Sequence, residues 1–133
     1  MTARERELFH QLHPAKLLTD WSTAAIAGAL LWFRHPYAAL AVGWGPSVLV
    51  TALFLSGRLD AALERLRGRP VVQIIAPRLT ADVNAIRFAG LAFWWVGCWL
   101  HQWLLIPFGV VMIGAGWFLA WRRGTRPIPT RRV

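Results

Sequence analysis

Long apolar runs, separated by short charged stretches, form the main pattern of this chain. The longest extends from Phe88 to Trp121 and holds no Asp, Glu, Lys or Arg. One helix over that run would be about 50 Å long at 1.5 Å per residue, whereas the hydrocarbon core of a bilayer is about 30 Å thick. The polar pair His101-Gln102 lies inside the run. We therefore predict two helices there, joined by a turn at this pair.

Two earlier apolar runs bring the number of predicted membrane spans to four. They are separated by Arg34-His35-Pro36, through which a helix does not easily continue. The predicted spans are 17–34, 37–56, 82–101 and 103–121, with Thr80 or Asp82 as the N-cap of the third. The predicted fold is an all-α membrane protein, a bundle of four transmembrane helices in one domain over residues 1–123.

The stretch between the second and third spans, 57–81, is also patterned. Leu59, Ala62, Leu63 and Leu66 share one face of a helix, and charged residues occupy the other. This predicts a cytoplasmic amphipathic helix over about 57–67, ended at Gly68. The proline- and arginine-rich residues 124–133 are predicted to form a disordered basic tail.

The charges predict which way the spans cross. The chain has fifteen basic and six acidic residues, a net charge of +9. Four spans leave fourteen of the fifteen basic residues on one side and only Arg34 on the other. The positive-inside rule then predicts both termini in the cytoplasm. The bias towards arginine is a hint of a bacterial source, so we expect an integral protein of the bacterial cytoplasmic (inner) membrane.

Because the charges flank apolar runs, they favour membrane partners over nucleic acid. The mean hydropathy of +0.43 points the same way. We expect binding to anionic lipid of the cytoplasmic leaflet, and to another membrane protein or a second copy of this chain. A single cysteine, Cys98, excludes a disulfide within the chain and a cysteine-based metal centre. No catalytic motif or cofactor fingerprint is visible, so we predict neither an enzyme nor a cofactor.

The histidines are weak candidates for ligand binding. His35 and His101 fall at the two predicted hairpin turns, on the same side, where they could bind a metal or a haem or relay a proton. Two histidines alone do not fill a metal shell, and interfacial side chains beside tryptophans are the simpler interpretation. His10, His13 and Asp20 share a helical face and form a second metal candidate. The alternative there is an amphipathic segment lying on the membrane, followed by a salt bridge between Lys16 and Asp20.

Two further groups have candidate roles within or beside the bilayer. Gly45-Pro46 is predicted to kink the second span, and the hydroxyls of Ser47 and Thr51 just beyond could line a pore in an oligomer. Trp44, Trp94 and Trp95 lie deep enough to line a pocket for a hydrophobic or pigment-like ligand, but bulky packing is the preferred interpretation. The predicted ligands of lipid phosphate are Arg78, Arg87, Arg122 and Arg123. Arg87 follows Asn84 by one turn and has pairing with Asp20 as its alternative.

Three functional classes are consistent with these observations, in this order. The first is a non-enzymatic accessory, assembly or scaffold component that binds other membrane helices and anionic lipid. The second is a small channel or transporter formed by oligomerisation. The third is a metal- or haem-binding membrane protein that uses the outer histidines.

Overall fold

The computed structural model describes residues 3–124, which are almost entirely helical and contain no strand. Seven α-helices follow one another, and a 3₁₀ turn at Ala76–Arg78 separates the fifth from the sixth. They are α1 (Ala3–His10), α2 (Pro14–Trp32), α3 (Pro36–Leu55), α4 (Asp60–Arg67), α5 (Pro70–Ile75), α6 (Ala81–Leu100) and α7 (Leu105–Gly124).

Helices α2 and α3 form an N-terminal hairpin. Each begins with a proline at its first position, where the missing N–H costs no hydrogen bond. The His13 ring caps α2, because its Nδ1 accepts a hydrogen bond from the Ala15 N–H at 3.2 Å. Between the helices, Arg34 adopts a positive φ of 64° that reverses the chain. The hairpin therefore turns at the breakpoint predicted from Arg34-His35-Pro36.

Helices α6 and α7 form a C-terminal hairpin whose backbones touch. A Cβ atom on Gly90 would lie 2.6 Å from the Gly109 carbonyl oxygen, so both positions require glycine. The turn is made by His101 in the left-handed region, with φ 56°. The Gln102 N–H closes it by donating to the Gly97 carbonyl at 2.9 Å. The prediction of two helices with a turn at His101-Gln102 is confirmed.

The two hairpins stand parallel and meet along α2 and α6. The indole N–H of Trp95 donates to the Ala24 carbonyl at 3.2 Å, and the rings of Trp32 and His101 lie 4.3 Å apart. Residues 33–35 and 101–104, the two hairpin turns, therefore lie at one end of the molecule, which we call the turn end. The opposite end carries the arginine-rich helix α4 and is called the basic end.

The short helices pack together at the basic end. Arg6 of α1 donates two hydrogen bonds to the Asp60 carboxylate of α4, at 2.8 and 2.7 Å. This pair lowers the pKa of Asp60 and raises the pKa of Arg6 through the hydrogen bonds. Beneath it, Leu66, Val72 and Ala76 form a small buried cluster. The short helices therefore pack on one another and on the long helices α3 and α7.

Three of the helices, α3, α6 and α7, are long and apolar enough to cross a membrane. Helix α2 is nearly as long, but its first half carries Lys16, Asp20 and three hydroxyl residues. Large apolar side chains are exposed along the long helices, such as Val48 and Leu49 on α3. The molecule is therefore compatible with a small integral membrane protein.

The helix boundaries agree with the predicted spans to within a few residues. The amphipathic helix is confirmed as α4, with Leu63 and Leu66 buried. Thr80 is the N-cap residue of α6, although its hydroxyl donates to the Asp82 carboxylate and accepts no capping hydrogen bond from a backbone N–H. Two elements, α1 and α5, were not predicted as helices. Helix α7 includes Gly124, where the disordered tail was predicted to begin, and 125–133 lie outside the described residues.

Candidate functional site

A cavity of about 540 Å³ lies between the two hairpins. Helices α2, α3, α6 and α7 all contribute to its walls, which are mainly apolar and aromatic. A volume of this size is typical of small-molecule sites, about 300–1,000 Å³. Five of the nine tryptophans line it: Trp21, Trp44, Trp94, Trp95 and Trp117. Trp44, Trp94 and Trp95, for which the sequence favoured bulky packing over a pocket, are among the lining residues.

The cavity exists because α3 packs on α2 but makes little contact with the C-terminal hairpin. The main exception is Trp95, whose ring fits against Gly43; a Cβ there would lie 2.6 Å from the ring. The rings of Trp44 and Trp95 also meet edge to face, 6.3 Å apart. Trp95 therefore joins α6 to both α2 and α3 and closes the cavity towards the turn end.

The polar lining is concentrated at the other end, one to two turns from the basic end of α2. Lys16 and Asp20 form a salt bridge there, as the sequence predicted. The Ser47 hydroxyl of α3 donates to the Asp20 carboxylate at 2.6 Å, and Thr23 lies 3.4 Å from the same hydroxyl. The Thr51 hydroxyl donates a hydrogen bond to the Ser47 backbone carbonyl at 2.8 Å. Asp20 therefore has two partners from two helices.

Arg87 faces these groups from α6. Its guanidinium lies over the Trp117 ring, with Cζ 4.1 Å from the ring centroid. Its Nη1 donates to Asn84 Oδ1 at 3.0 Å. Within residues 3–124 its Nε is buried without a hydrogen-bond partner. Gly116 leaves room for the stem, because a Cβ there would lie 2.6 Å from Arg87 Cγ.

The other predicted phosphate ligands lie outside the cavity lining. Arg78 donates to the backbone carbonyls of Ile74 and Arg123, at 2.6 and 2.7 Å. Arg123 forms a salt bridge with Asp82 at 2.7 Å, and Arg122 sits in the last turn of α7. Two of these arginines therefore tie α7 to the segment before α6. Arg87 alone of the four candidates lines the cavity.

The pore or kink candidates divide into two pairs. Ser47 and Thr51 line the cavity inside a single chain. Gly45 and Pro46 are exposed, and a Cβ on Gly45 would meet no atom within 4 Å. Helix α3 continues through Pro46 without a break in its assignment.

The residues of the second metal candidate, His10, His13 and Asp20, each make contacts of their own. His10 is buried, and its Nδ1 donates to the Arg6 carbonyl at 3.0 Å. His13 packs on Phe54 at 4.8 Å between ring centroids and caps α2. Burial lowers the pKa of His13. Within residues 3–124, no group of three or more His, Cys, Asp or Glu side chains is placed to hold a metal ion.

The two outer histidines also differ in their surroundings. His101 stacks on Trp32 and accepts a hydrogen bond at Nδ1 from the Arg34 guanidinium at 3.3 Å. Because a guanidinium only donates, the ring proton of His101 lies on Nε2. His35 is exposed at the N-cap of α3, and its side chain makes no capping hydrogen bond. At the turn end, His101 therefore contacts Trp32 and Arg34, whereas the exposed His35 is not part of this cluster.

Comparisons with known proteins provide no relative: no family model, curated protein or solved structure matches the chain. The cavity is therefore the main indication of function in the part of the chain that the structure describes.

Sequence reasoning identified Arg87 and Asn84, but it missed that Trp117 covers the guanidinium and that Lys16 shares the cavity. Trp117 lies on a different helix, and Gly116, the residue that admits the arginine stem, is one of several glycines in α7.

Proposed function

We propose that this protein is a non-enzymatic accessory, assembly or scaffold component of the bacterial cytoplasmic membrane, which binds a membrane lipid between its hairpins. The observation that carries this proposal is the two-part lining of the cavity. One end presents Lys16, Asp20 and Arg87, whereas the walls towards the turn end are tryptophan and aliphatic side chains. Lipids have the same division between a polar head and apolar chains.

The proposal treats α2 as a fourth membrane span, with both termini in the cytoplasm. At 1.5 Å per residue its nineteen residues extend about 28 Å, close to the thickness of the hydrocarbon core. Its charged residues pair with each other, and the Ser22 hydroxyl donates to the Leu18 carbonyl at 2.7 Å. Internal satisfaction of polar groups is what the bilayer requires. A reporter fused after Val133 should be active in the cytoplasm, and activity only outside would contradict this topology.

The channel and the metal- or haem-binding alternatives stay predictions. Ser47 meets Thr23 and Asp20 within one chain, so its hydroxyl needs no second copy for a partner. This favours a binding cavity over a pore between subunits. Exposed apolar residues on α3, such as Leu40 and Leu53, are available to lipid or to the helices of a partner.

The test is lipid retention. We would reconstitute the protein in nanodiscs of mixed phosphatidylglycerol and phosphatidylcholine and release it into a mass spectrometer under increasing collision energy. The wild type should keep one lipid at energies that strip the annular lipids. Leu91 lines the cavity, so Leu91→Trp should abolish this retention by filling the space.

Leu49→Trp is the matched control, because Leu49 is exposed on α3 and lies outside the lining. It should retain the lipid like the wild type. Equal retention by both variants would contradict lipid binding in the cavity.

A further inference from the structure

We propose that the lipid held in this cavity is an anionic phospholipid whose phosphate lies against the Arg87 guanidinium, with its acyl chains among the tryptophans. This inference rests on the proposed function and adds the charge and placement of the ligand. Three independent observations lead to it: the charge of the lining, the hydrogen bonding of Arg87, and the depth of the polar residues.

The formal charges of the residues that line the cavity do not cancel. Lys16 and Arg87 contribute two positive charges and Asp20 one negative charge, which leaves a formal net charge of +1 when histidine is counted as neutral. An unpaired charge in a mainly apolar cavity is costly. A ligand with one net negative charge offsets it, whereas a zwitterionic headgroup does not. This charge count favours a phospholipid such as phosphatidylglycerol.

Arg87 is the cation without a carboxylate partner. Asp20 already accepts from Lys16 and Ser47, and within the described residues no salt bridge joins it to Arg87. Its charge reaches Arg87 only as an electrostatic interaction at longer range.

The hydrogen bonds of Arg87 lead to the same conclusion. A guanidinium has five N–H donors, and within residues 3–124 this one makes a single hydrogen bond, to Asn84. A buried donor without a partner is costly, and Nε is such a donor. The N–H groups of a guanidinium point outward in its own plane, and the Trp117 ring lies 4.1 Å from Arg87 Cζ. Two phosphate oxygens fit that geometry, because guanidinium and phosphate groups pair through parallel hydrogen bonds.

The depth of the polar residues suits a headgroup. Arg87 lies six residues after the start of α6 at Ala81, which is about 9 Å along the helix axis. Lys16 and Asp20 lie within the first two turns of α2. A phosphate at this level places the acyl chains further in, among Trp94, Trp95 and their neighbours. Val48 and Phe88, about 60 % exposed at the cavity wall, allow the chains to leave sideways into the membrane.

The first experiment uses the wild-type protein, so it does not depend on a variant that folds. Three lipids with identical acyl chains would compete in nanodiscs: anionic phosphatidylglycerol, zwitterionic phosphatidylcholine and a cationic trimethylammonium lipid. Annular lipids are stripped first by raising the collision energy, so that only the lipid retained by the wild type is compared. The expected order of retention is anionic, zwitterionic, cationic. Equal retention of the three, or a preference for the cationic lipid, would overturn the proposal.

The second experiment changes the guanidinium. Arg87→Gln should reduce the preference for phosphatidylglycerol over phosphatidylcholine by roughly tenfold, the usual effect of losing a charge-assisted hydrogen bond. Arg87→Lys should keep part of the preference, because the charge stays while the planar donors are lost. Arg65→Gln, at an exposed position of α4, removes the same charge away from the cavity and should leave the preference unchanged.

The outcomes separate this proposal from the one on which it rests. If Leu91→Trp abolishes retention but Arg87→Gln keeps the full preference, the cavity binds lipid and the assignment to Arg87 is wrong. If Leu91→Trp retains lipid like the wild type, the proposed function itself fails. Excess inorganic phosphate should not displace the lipid, because it cannot replace the acyl chains. Displacement by phosphate would identify a site for the free anion and overturn the lipid assignment.

Discussion

The C-terminal hairpin brings its helices together at glycines, whereas the N-terminal hairpin brings its helices together through hydroxyl and charged side chains. In the first, Gly90 and Gly109 allow backbone to meet backbone. In the second, Ser47 of α3 reaches Asp20 and Thr23 of α2. The longest run without a formal charge, Phe88–Trp121, belongs to the C-terminal hairpin.

This difference explains where the cavity lies. Close backbone packing leaves no space between α6 and α7, which form a firm support for Arg87 and the tryptophans. Helix α3 packs along α2, where polar side chains join the two, and its other face makes little contact with the C-terminal hairpin. We infer that the C-terminal hairpin provides most of the stability and that the N-terminal hairpin provides the variable wall of the site.

The largest expected effect comes from breaking the glycine contact. A Cβ on Gly109 would lie against the Gly90 carbonyl and 2.5 Å from the Trp94 backbone nitrogen. Because backbone atoms cannot move aside cheaply, Gly109→Leu should destabilise the protein by about 3 kcal/mol or more. Thermal unfolding in detergent would measure this.

The matched control is Gly114→Leu in the same helix, because a Cβ there meets nothing within 4 Å. It should leave the unfolding temperature nearly unchanged. Similar unfolding temperatures for the two variants would show that the C-terminal hairpin is not closed by this contact.

An intermediate effect is expected in the N-terminal hairpin. Ser47→Ala removes the hydroxyl that donates to the Asp20 carboxylate at 2.6 Å. Hydrogen bonds to charged groups contribute about 1.5–3 kcal/mol, and the lower part of that range is expected because Asp20 keeps Lys16. The free energy of unfolding would be compared with that of Ser22→Ala, whose hydroxyl bonds only to its own helix. A loss no larger than that control would contradict the role of Ser47 in joining α2 to α3.

The smallest expected effect is a dependence on pH at the base of the N-terminal hairpin. Burial lowers the pKa of His13 below its ordinary value of 6.5. As the pH falls below about 6.5, the unfolded chain binds a proton that the folded chain excludes, so the free energy of unfolding falls. The stability that depends on neutral His13 is complete above that pH and is lost as the pH falls through the lowered pKa.

His13→Asn tests this effect, because asparagine can cap α2 but does not titrate. The wild type should lose more stability than this variant between pH 7.5 and pH 5. The Arg6–Asp60 pair contributes in a separate and more acidic range, because the pKa of Asp60 lies below its ordinary 3.8. Identical pH profiles above pH 5 would contradict the assignment to His13.

Much of the helical framework was predictable from local features. The starts and turns of the long helices are predicted by the prolines at positions 14 and 36 and by the polar pair His101-Gln102. These residues affect the backbone locally, at their own positions in the chain. The Lys16–Asp20 pair was predictable for the same reason, since i, i+4 residues are neighbours on any helix.

The contacts between helices were not predictable in this way. That Arg87 lies on Trp117, and that Ser47 meets Asp20, depends on how each helix is rotated about its axis. The apolar residues around α3 permit many rotations, since lipid and protein are both acceptable surroundings for them.

The sequence by itself determined the four long helices, their approximate ends and their suitability for a membrane, because these depend on the length of apolar runs, on proline and on the position of charge. Only the tertiary structure decided which polar residues share the cavity and which tryptophans enclose it. The physical reason is close packing: glycines at positions 43, 90, 109 and 116 set how near the helices approach, and that approach fixes which side chains meet.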